Sequence, residues 1–121
     1  MGKLVVIVSY TPFYSELSGL SLNIARTALQ KGHKVTLFLF MDGVYNALNT
    51  QRGDLFKVES VNKILGELSD LEAKIIVCKL CSELRGVNES LMVSVAEATG
   101  VAELNDELLD ADSVLSFMGE V

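Results

Sequence analysis

Three short segments of the chain are apolar at nearly every position. They are Lys3 to Tyr10, Val35 to Met41 and Lys74 to Val77. A strand that is buried on one face alternates apolar and polar residues, whereas an unbroken apolar run is typical of a strand covered on both faces by helices. This pattern limits the fold more than any other feature of the sequence, and it predicts an α/β protein with a largely parallel sheet.

Helical patterns lie between these runs. Either Thr11, with Pro12 in the first helical position, or Ser15 could cap the first helix, and we favour Ser15. This helix should end at Lys31-Gly32, and Ser60 should cap the second. Apolar residues at helical spacing predict which side of each helix faces the sheet. These residues are Leu17, Leu20, Ile24, Ala25, Ala28 and Leu29 in the first helix, and Val61, Ile64, Leu65 and Leu68 in the second.

The last third of the chain has a weaker pattern. We expect a short strand at Leu91 to Val95, a helix opened by Thr99-Gly100 and a final strand at Ser113 to Met118. Three apolar residues of this helix should face inward and four acidic residues outward. The inward residues are Val101, Leu104 and Leu108, and the outward residues are Glu103, Asp106, Glu107 and Asp110.

Together these elements predict one domain over residues 1–121. The expected architecture is a three-layer α/β/α sandwich with a mostly parallel five-stranded sheet, Rossmann-like or flavodoxin-like. A chain of 121 residues with 50% apolar residues is long enough to bury a core of this kind.

Charge and composition argue against several classes of partner. The net charge is −6, and binding to nucleic acid or to an anionic membrane requires clustered cations. No apolar run approaches the ~20 residues that span a bilayer, and the N-terminus lacks the layout of a signal peptide. We therefore expect a cytoplasmic protein with neither nucleic acid nor membrane as partner. The first apolar run is not followed by a glycine-rich nucleotide loop, so no cofactor is expected.

The only two cysteines, Cys78 and Cys81, follow the third apolar run. Open α/β sheets bind their ligands where the carboxyl ends of the strands meet. A cysteine at such an end, just before a helix, should lie near unpaired backbone N–H groups, which favour the thiolate. Arg85 should add a cation, and Asp42 should lie at the same edge because it follows the second run. We therefore predict sulfur chemistry with Cys78 as the nucleophile.

Three other interpretations fit the cysteines. They could be core residues of a non-catalytic oligomeric binding module, since free cysteine is commonly buried. They could form the Cys-x-x-Cys pair of a small dithiol/disulfide oxidoreductase, although the only proline, Pro12, lies far from them in sequence. A zinc site is the weakest alternative, because it needs about four ligands and His33 is expected at the opposite edge of the sheet.

Several segments, taken in order, resemble the DsrE/DsrF-like family, including the TusD-type subunits of sulfur-relay complexes. The first helix ends in Ala-Leu-Gln-Lys-Gly-His-Lys-Val35, and the second strand runs Leu-Phe-Leu-Phe-Met-Asp-Gly-Val44. The cysteine at the end of the third strand is followed by Leu-Arg-Gly-Val87, and the chain closes with Ala-Asp-Ser-Val-Leu-Ser-Phe117. The resemblance extends over nearly the whole chain.

This resemblance implies a sulfurtransferase or sulfur carrier that holds a persulfide on Cys78 and passes the sulfur to an acceptor thiol. It also implies assembly as a homo-oligomer, a trimer or hexamer, or with related subunits. Separately, a basic sulfur-carrier protein could bind the acidic outer face of the last helix. Many relatives use one cysteine at this site. In this chain Cys81 could attack a persulfide on Cys78, release sulfide and leave a disulfide.

Overall fold

The computed structural model describes residues 2–13 and 16–117, with five strands and four α-helices in that part of the chain. In chain order the elements are β1 (Lys3–Val8), α1 (Glu16–Gln30), β2 (Lys34–Leu39), α2 (Val61–Asp70), β3 (Lys74–Cys78), α3 (Lys79–Leu84), β4 (Ala96–Thr99), α4 (Val101–Asp110) and β5 (Ser113–Phe117). Short 3-10 helices lie at Met41–Ala47, Gly53–Phe56 and Glu89–Leu91.

The five strands form one sheet in the order β4-β3-β2-β1-β5, and every neighbouring pair is parallel. This confirms the predicted α/β fold. The connections from β1 to β4 step in one direction across the sheet, and the connection after β4 returns to the far side of β1. Because such crossovers are right-handed, α1, α2 and α3 cover one face and α4 covers the other.

The core lies between the sheet and the first two helices. The central strands supply fully buried side chains such as Val6, Leu37 and Val77. In α2 the predicted inward side is confirmed, with Leu65 and Leu68 completely buried. The apolar runs are therefore the strands of a sheet that is covered on both faces. No helix of the described chain has the length and apolar character needed to cross a membrane.

One prediction for α1 is wrong. Leu20 is 47% exposed, whereas Leu22 and Ala25 are buried. Apolar residues lie on more than one side of this helix, so spacing alone did not fix its rotation about its own axis. The expected cap Ser15 lies outside the described residues, as does the side chain of Leu17.

The strand expected at Leu91 to Val95 is also wrong. Within this segment only Met92 makes a β-bridge, to Leu48, and the strand that joins the sheet is β4. β4 is an edge strand with the sequence Ala-Glu-Ala-Thr. Because one of its sides is open to solvent, it lacks the apolar run by which the central strands were recognised.

The predicted sides of α4 need two corrections. Val101 is 59% exposed, and Glu107, expected on the outer face, is buried. Glu107 accepts a hydrogen bond from the Thr36 hydroxyl and pairs with Lys3 Nζ at 3.2 Å, so polar groups at the amino ends of the strands draw it inward. The final strand agrees with the prediction as far as Phe117, and Met118 lies outside the described residues.

Candidate functional site

Cys78 occupies the position that the sequence predicts, at the carboxyl end of a buried strand and directly before a helix. It is the last residue of β3 and the N-cap of α3, with φ −65° and ψ 113°. Its Sγ accepts a hydrogen bond from the backbone N–H of Cys81, at 3.3 Å. The turn from strand to helix therefore aims a backbone donor at the sulfur.

Both thiols are free and buried, with Cys78 2% exposed and Cys81 8% exposed. Burial raises the pKa of the Cys78 thiol, and the Cys81 side chain raises it further. The backbone N–H groups of Cys81 and Leu80 act in the opposite direction but do not outweigh these effects. The expectation of a stabilised thiolate is therefore wrong for the unloaded site. That expectation relied in part on the dipole of the following helix, but α3 has only six residues. Burial disfavours the charged form of the Cys78 sulfur and therefore raises its pKa.

Arg85 connects two parts of the site. Its Nε donates to Asp42 Oδ1 at 2.8 Å, and its Nη1 donates to the backbone carbonyl of Cys81 at 3.2 Å. The ion pair with Asp42 raises the pKa of Arg85 above its ordinary value. The guanidinium thus joins the end of β2 to α3, and its described hydrogen bonds go to Asp42 and Cys81. Sequence reasoning placed Asp42 at this edge but did not identify it as the partner of Arg85.

The 3-10 helix that carries Asp42 is fixed to the end of β1. A Cβ atom on Gly43 would lie 1.8 Å from the carbonyl oxygen of Val8, so only glycine allows this approach. The buried amide of Asn46 donates to the carbonyl oxygens of Tyr10 and Gly43, both at 2.8 Å. Sequence reasoning missed Asn46, because nothing in the local pattern shows that this amide satisfies a carbonyl after β1.

A cavity of about 260 Å³ adjoins the cysteine segment on its β4 side. Its lining includes Lys79 and Ser82 from α3 and Ala98 from β4. Lys79 separates the two cysteines in sequence, and Ala98 precedes Thr99, the register partner of Cys78. The cavity therefore adjoins the cysteine segment, but neither Cys78 nor Cys81 is among its lining residues.

His33 does not join the thiols. It lies just before β2, at the opposite edge of the sheet, and its Nδ1 accepts a hydrogen bond from the backbone N–H of Gly2 at 3.0 Å. No group of three or more His, Cys, Asp or Glu side chains suited to a metal ion occurs among the described residues.

Comparison with known proteins gives consistent matches over nearly the whole chain. The family model of the DsrE/DsrF-like family matches residues 2–117. The uncharacterized protein MJ0989 of Methanocaldococcus jannaschii is 30% identical over 115 residues, which cover 95% of this chain and 99% of that protein. The protein YchN of Escherichia coli is 28% identical over 97% of this chain and 100% of its own. The crystal structure of YchN superimposes with a TM-score of 0.87 at 27% identity, again over 97% and 100% of the two chains.

Proposed function

The chain belongs to the DsrE/DsrF-like family, and we propose that it is a sulfur-relay protein that carries sulfane sulfur as a persulfide on Cys78. The observation that best supports this proposal is the position of Cys78. It is a free thiol at the carboxyl edge of the sheet, with the Cys81 N–H directed at its sulfur. The thiolate is the nucleophile in exchange reactions of this type.

Loading is a transfer of sulfur between thiols. The Cys78 thiolate attacks the outer sulfur of a donor persulfide, R–S–SH. A bond forms between Cys78 Sγ and that sulfur, the S–S bond of the donor breaks, and the donor leaves as the thiolate RS⁻. No electrons are gained or lost overall. Because burial raises the pKa of Cys78, the unloaded site rests as a thiol and gives its proton to solvent when a donor arrives.

Unloading repeats the same chemistry in the other direction. An acceptor thiolate attacks the outer sulfur of the Cys78 persulfide, and Cys78 leaves as a thiolate that takes up a proton. The site supports this step by excluding water, since both sulfurs are buried. Arg85 acts as a positioning residue, because its bond to the Cys81 carbonyl and its ion pair with Asp42 hold α3 in place.

A second candidate function rests on the closeness of the two cysteines. The Cys81 thiolate can attack Cys78 Sγ in the persulfide, which forms a Cys78–Cys81 disulfide and expels the outer sulfur as HS⁻. The outer sulfur is reduced and the two cysteines are oxidised, so a second turnover requires an external thiol reductant. The same pair without a persulfide would act as a dithiol/disulfide oxidoreductase.

The proposed setting is a reducing cytoplasm, where free thiols persist. We place the protein in a homo-oligomer, a trimer or hexamer, or in a complex with related subunits, and we expect a sulfur-carrier protein as its acceptor. The support for assembly is the number of large apolar side chains that the described chain leaves exposed, including Phe56, Leu84 and Leu109.

Mass spectrometry after incubation with a sulfane-sulfur donor tests the proposed function. We expect the native chain to gain ~32 Da, the mass of one sulfur atom. Cys78→Ser should abolish the gain, and Cys81→Ser should retain it. Trypsin separates the two cysteines, because it cuts after Lys74, Lys79 and Arg85. After alkylation, the added sulfur should therefore appear on the peptide of residues 75–79.

Other outcomes separate the alternatives. Loss of two hydrogens with release of sulfide, dependent on both cysteines, would favour the reductive reaction. A mass that stays the same in every form would contradict the persulfide carrier.

A further inference from the structure

Thr99 is the residue of β4 that lies beside Cys78. The two are register partners in neighbouring parallel strands, and each is the last residue of its strand. Neighbouring strands lie about 4.8 Å apart, and residues in register project their side chains from the same face of the sheet. The side chain of Thr99 is thus directed to the same side as that of Cys78, at the same edge.

The hydroxyl of Thr99 is buried and has no hydrogen-bond partner among the described residues. A buried polar atom without a partner costs free energy, so nearly all such atoms are paired in native proteins, and an exception calls for an explanation such as a catalytic role. Valine has the same shape as threonine without the hydroxyl. The cost of an unpartnered donor at this position therefore calls for an acceptor that arrives in the course of the reaction.

A persulfide supplies such an acceptor. The bond from Sγ to an added sulfur is about 2.05 Å long, so loading extends the Cys78 side chain by one atom toward its surroundings. Sγ already accepts the N–H of Cys81. On the α3 side, the Leu80 N–H also acts on the Cys78 sulfur, and the Nε and Nη1 atoms of Arg85 are bound to Asp42 and to the Cys81 carbonyl. The Thr99 hydroxyl is a donor on the neighbouring strand.

We propose that the Thr99 hydroxyl donates a hydrogen bond to the outer sulfur of the Cys78 persulfide and stabilises its anionic form. This inference rests on the proposed function, in which Cys78 carries the sulfur. Ionisation of Cys78–S–SH releases a proton to solvent and leaves Cys78–S–S⁻ as the resting form of the loaded site; reprotonation restores Cys78–S–SH, whose outer sulfur the acceptor thiolate attacks. Thr99 keeps that sulfur anionic and oriented in an otherwise buried site.

The pH profile of persulfide alkylation tests this role. Cys78 is loaded chemically with inorganic polysulfide, so that loading does not depend on a biological donor. Iodoacetamide then forms a carbon–sulfur bond at the outer sulfur and releases iodide. The product is quantified on the tryptic peptide of residues 75–79, apart from Cys81 on residues 80–85. We expect Thr99→Val to slow alkylation of the persulfide about tenfold near neutral pH, because a hydrogen bond to a charged group is lost. The rates should converge at high pH, where the persulfide is fully ionised.

Two control variants isolate the hydrogen bond. Thr99→Ser keeps the hydroxyl and should behave like the unchanged chain. Ser9 also has a buried hydroxyl without a described partner, but it follows β1, two strands away from β3. Ser9→Ala should therefore leave the profile unchanged. Alkylation of unloaded Cys78 is measured in parallel, since a general disturbance of the site by Thr99→Val would move that profile too.

The outcomes distinguish this inference from the proposed function. A Thr99→Val profile equal to that of the unchanged chain, or one shifted equally in the loaded and unloaded forms, would overturn the role of Thr99. Thr99→Ala serves as a second variant if Thr99→Val does not fold. Transfer of the loaded sulfur to an acceptor thiol is measured separately, and its absence with an intact Thr99 effect would overturn the relay function alone. Failure of polysulfide to load Cys78 in the folded chain would overturn both.

Discussion

At the scale of single residues, Gly43 illustrates how the candidate site depends on the close approach of two backbone segments. The 3-10 helix after β2 can lie against the end of β1 only because this residue has no Cβ atom. That contact fixes the segment from which Asp42 reaches Arg85. An Asp-Gly pair is typical of a turn, so the sequence alone predicts only a turn at Gly43 and not this close contact.

Gly43→Ala tests this contact. Its Cβ would lie 1.8 Å from one backbone oxygen, so the two segments must move apart. We expect the free energy of unfolding to fall by about 3 kcal/mol, in the upper range for overpacking. Urea denaturation at fixed protein concentration measures the change.

Gly66→Ala is the matched control for Gly43→Ala. Gly66 lies within α2, and a Cβ there would meet no atom within 4 Å. Because alanine is the better helix former, this variant should gain about 0.5–1 kcal/mol. Equal effects of the two substitutions would contradict the structural account of Gly43.

At the scale of elements, α4 is held to the sheet by charged and polar groups as well as by apolar packing. Glu107 accepts a hydrogen bond from Thr36 and pairs with Lys3 at 3.2 Å and with Lys74 at 3.7 Å. Burial by itself would raise the pKa of Glu107. The hydrogen bonds from Thr36 and Lys3, together with the two lysine charges, outweigh it and hold the pKa below its ordinary value. The hydrogen bonds and ion pairs of the Glu107 carboxylate therefore help to determine which side of α4 faces the core.

Glu107→Gln should lower the free energy of unfolding by about 1–2 kcal/mol at pH 7, because it removes charge-assisted hydrogen bonds that are mostly buried. Glu103→Gln is its control. Glu103 pairs with Lys74 at 2.8 Å, but both side chains are well exposed, so the expected loss is no more than about 0.5 kcal/mol. A loss for Glu103→Gln as large as that for Glu107→Gln would contradict the importance of burial.

The same carboxylate predicts a dependence of stability on pH. Since the folded chain lowers the pKa of Glu107, its contribution is complete above the ordinary value of 4.5 and is lost as the pH falls through the folded value. The stability of the unchanged chain should therefore fall more steeply below about pH 4.5 than that of Glu107→Gln. Chemical denaturation at a series of pH values measures both curves, and parallel curves would show that Glu107 is not the group responsible.

At the scale of the whole molecule, the proposed oligomer would cover apolar side chains that the described chain leaves exposed. The large apolar side chains left exposed in the described chain lie on several elements, and Phe56 and Leu109 are each 79% exposed. Where such side chains form a contiguous patch, the patch commonly marks a contact between proteins. An acidic chain with a net charge of −6 would remain soluble before such a contact forms.

We expect light scattering to give a mass three or six times that of the 13.1 kDa chain. At least one of Phe56→Lys and Leu109→Lys should lower that mass, because a lysine would place an unpaired charge in an apolar contact. Gln30→Lys, at an exposed polar position at the end of α1, adds the same charge and should leave the mass unchanged. A monomeric mass for the unchanged chain would contradict the proposed oligomer.

Sequence patterns were enough to predict the strands that are covered on both faces, the parallel sheet and the placement of Cys78 at a strand end. Those features follow from patterns over a few residues, because burial on two faces or on one side of a helix imposes a period on the residue types. This reasoning did not predict the edge strand β4 or the rotation of α1 about its own axis, because neither produces a distinct period of apolar residues in the sequence.

Which side chains contact one another depends on the tertiary fold. Lys3 and Glu107 are 104 positions apart in sequence, and Asp42 and Arg85 are 43 apart. Thr99 lies beside Cys78 through the register of two strands. The direction of the Cys78 pKa also depended on the fold, because desolvation is set by every element that packs around the sulfur. Local patterns specify the elements, but register and packing bring distant residues together, and the chemistry of this site depends on those contacts.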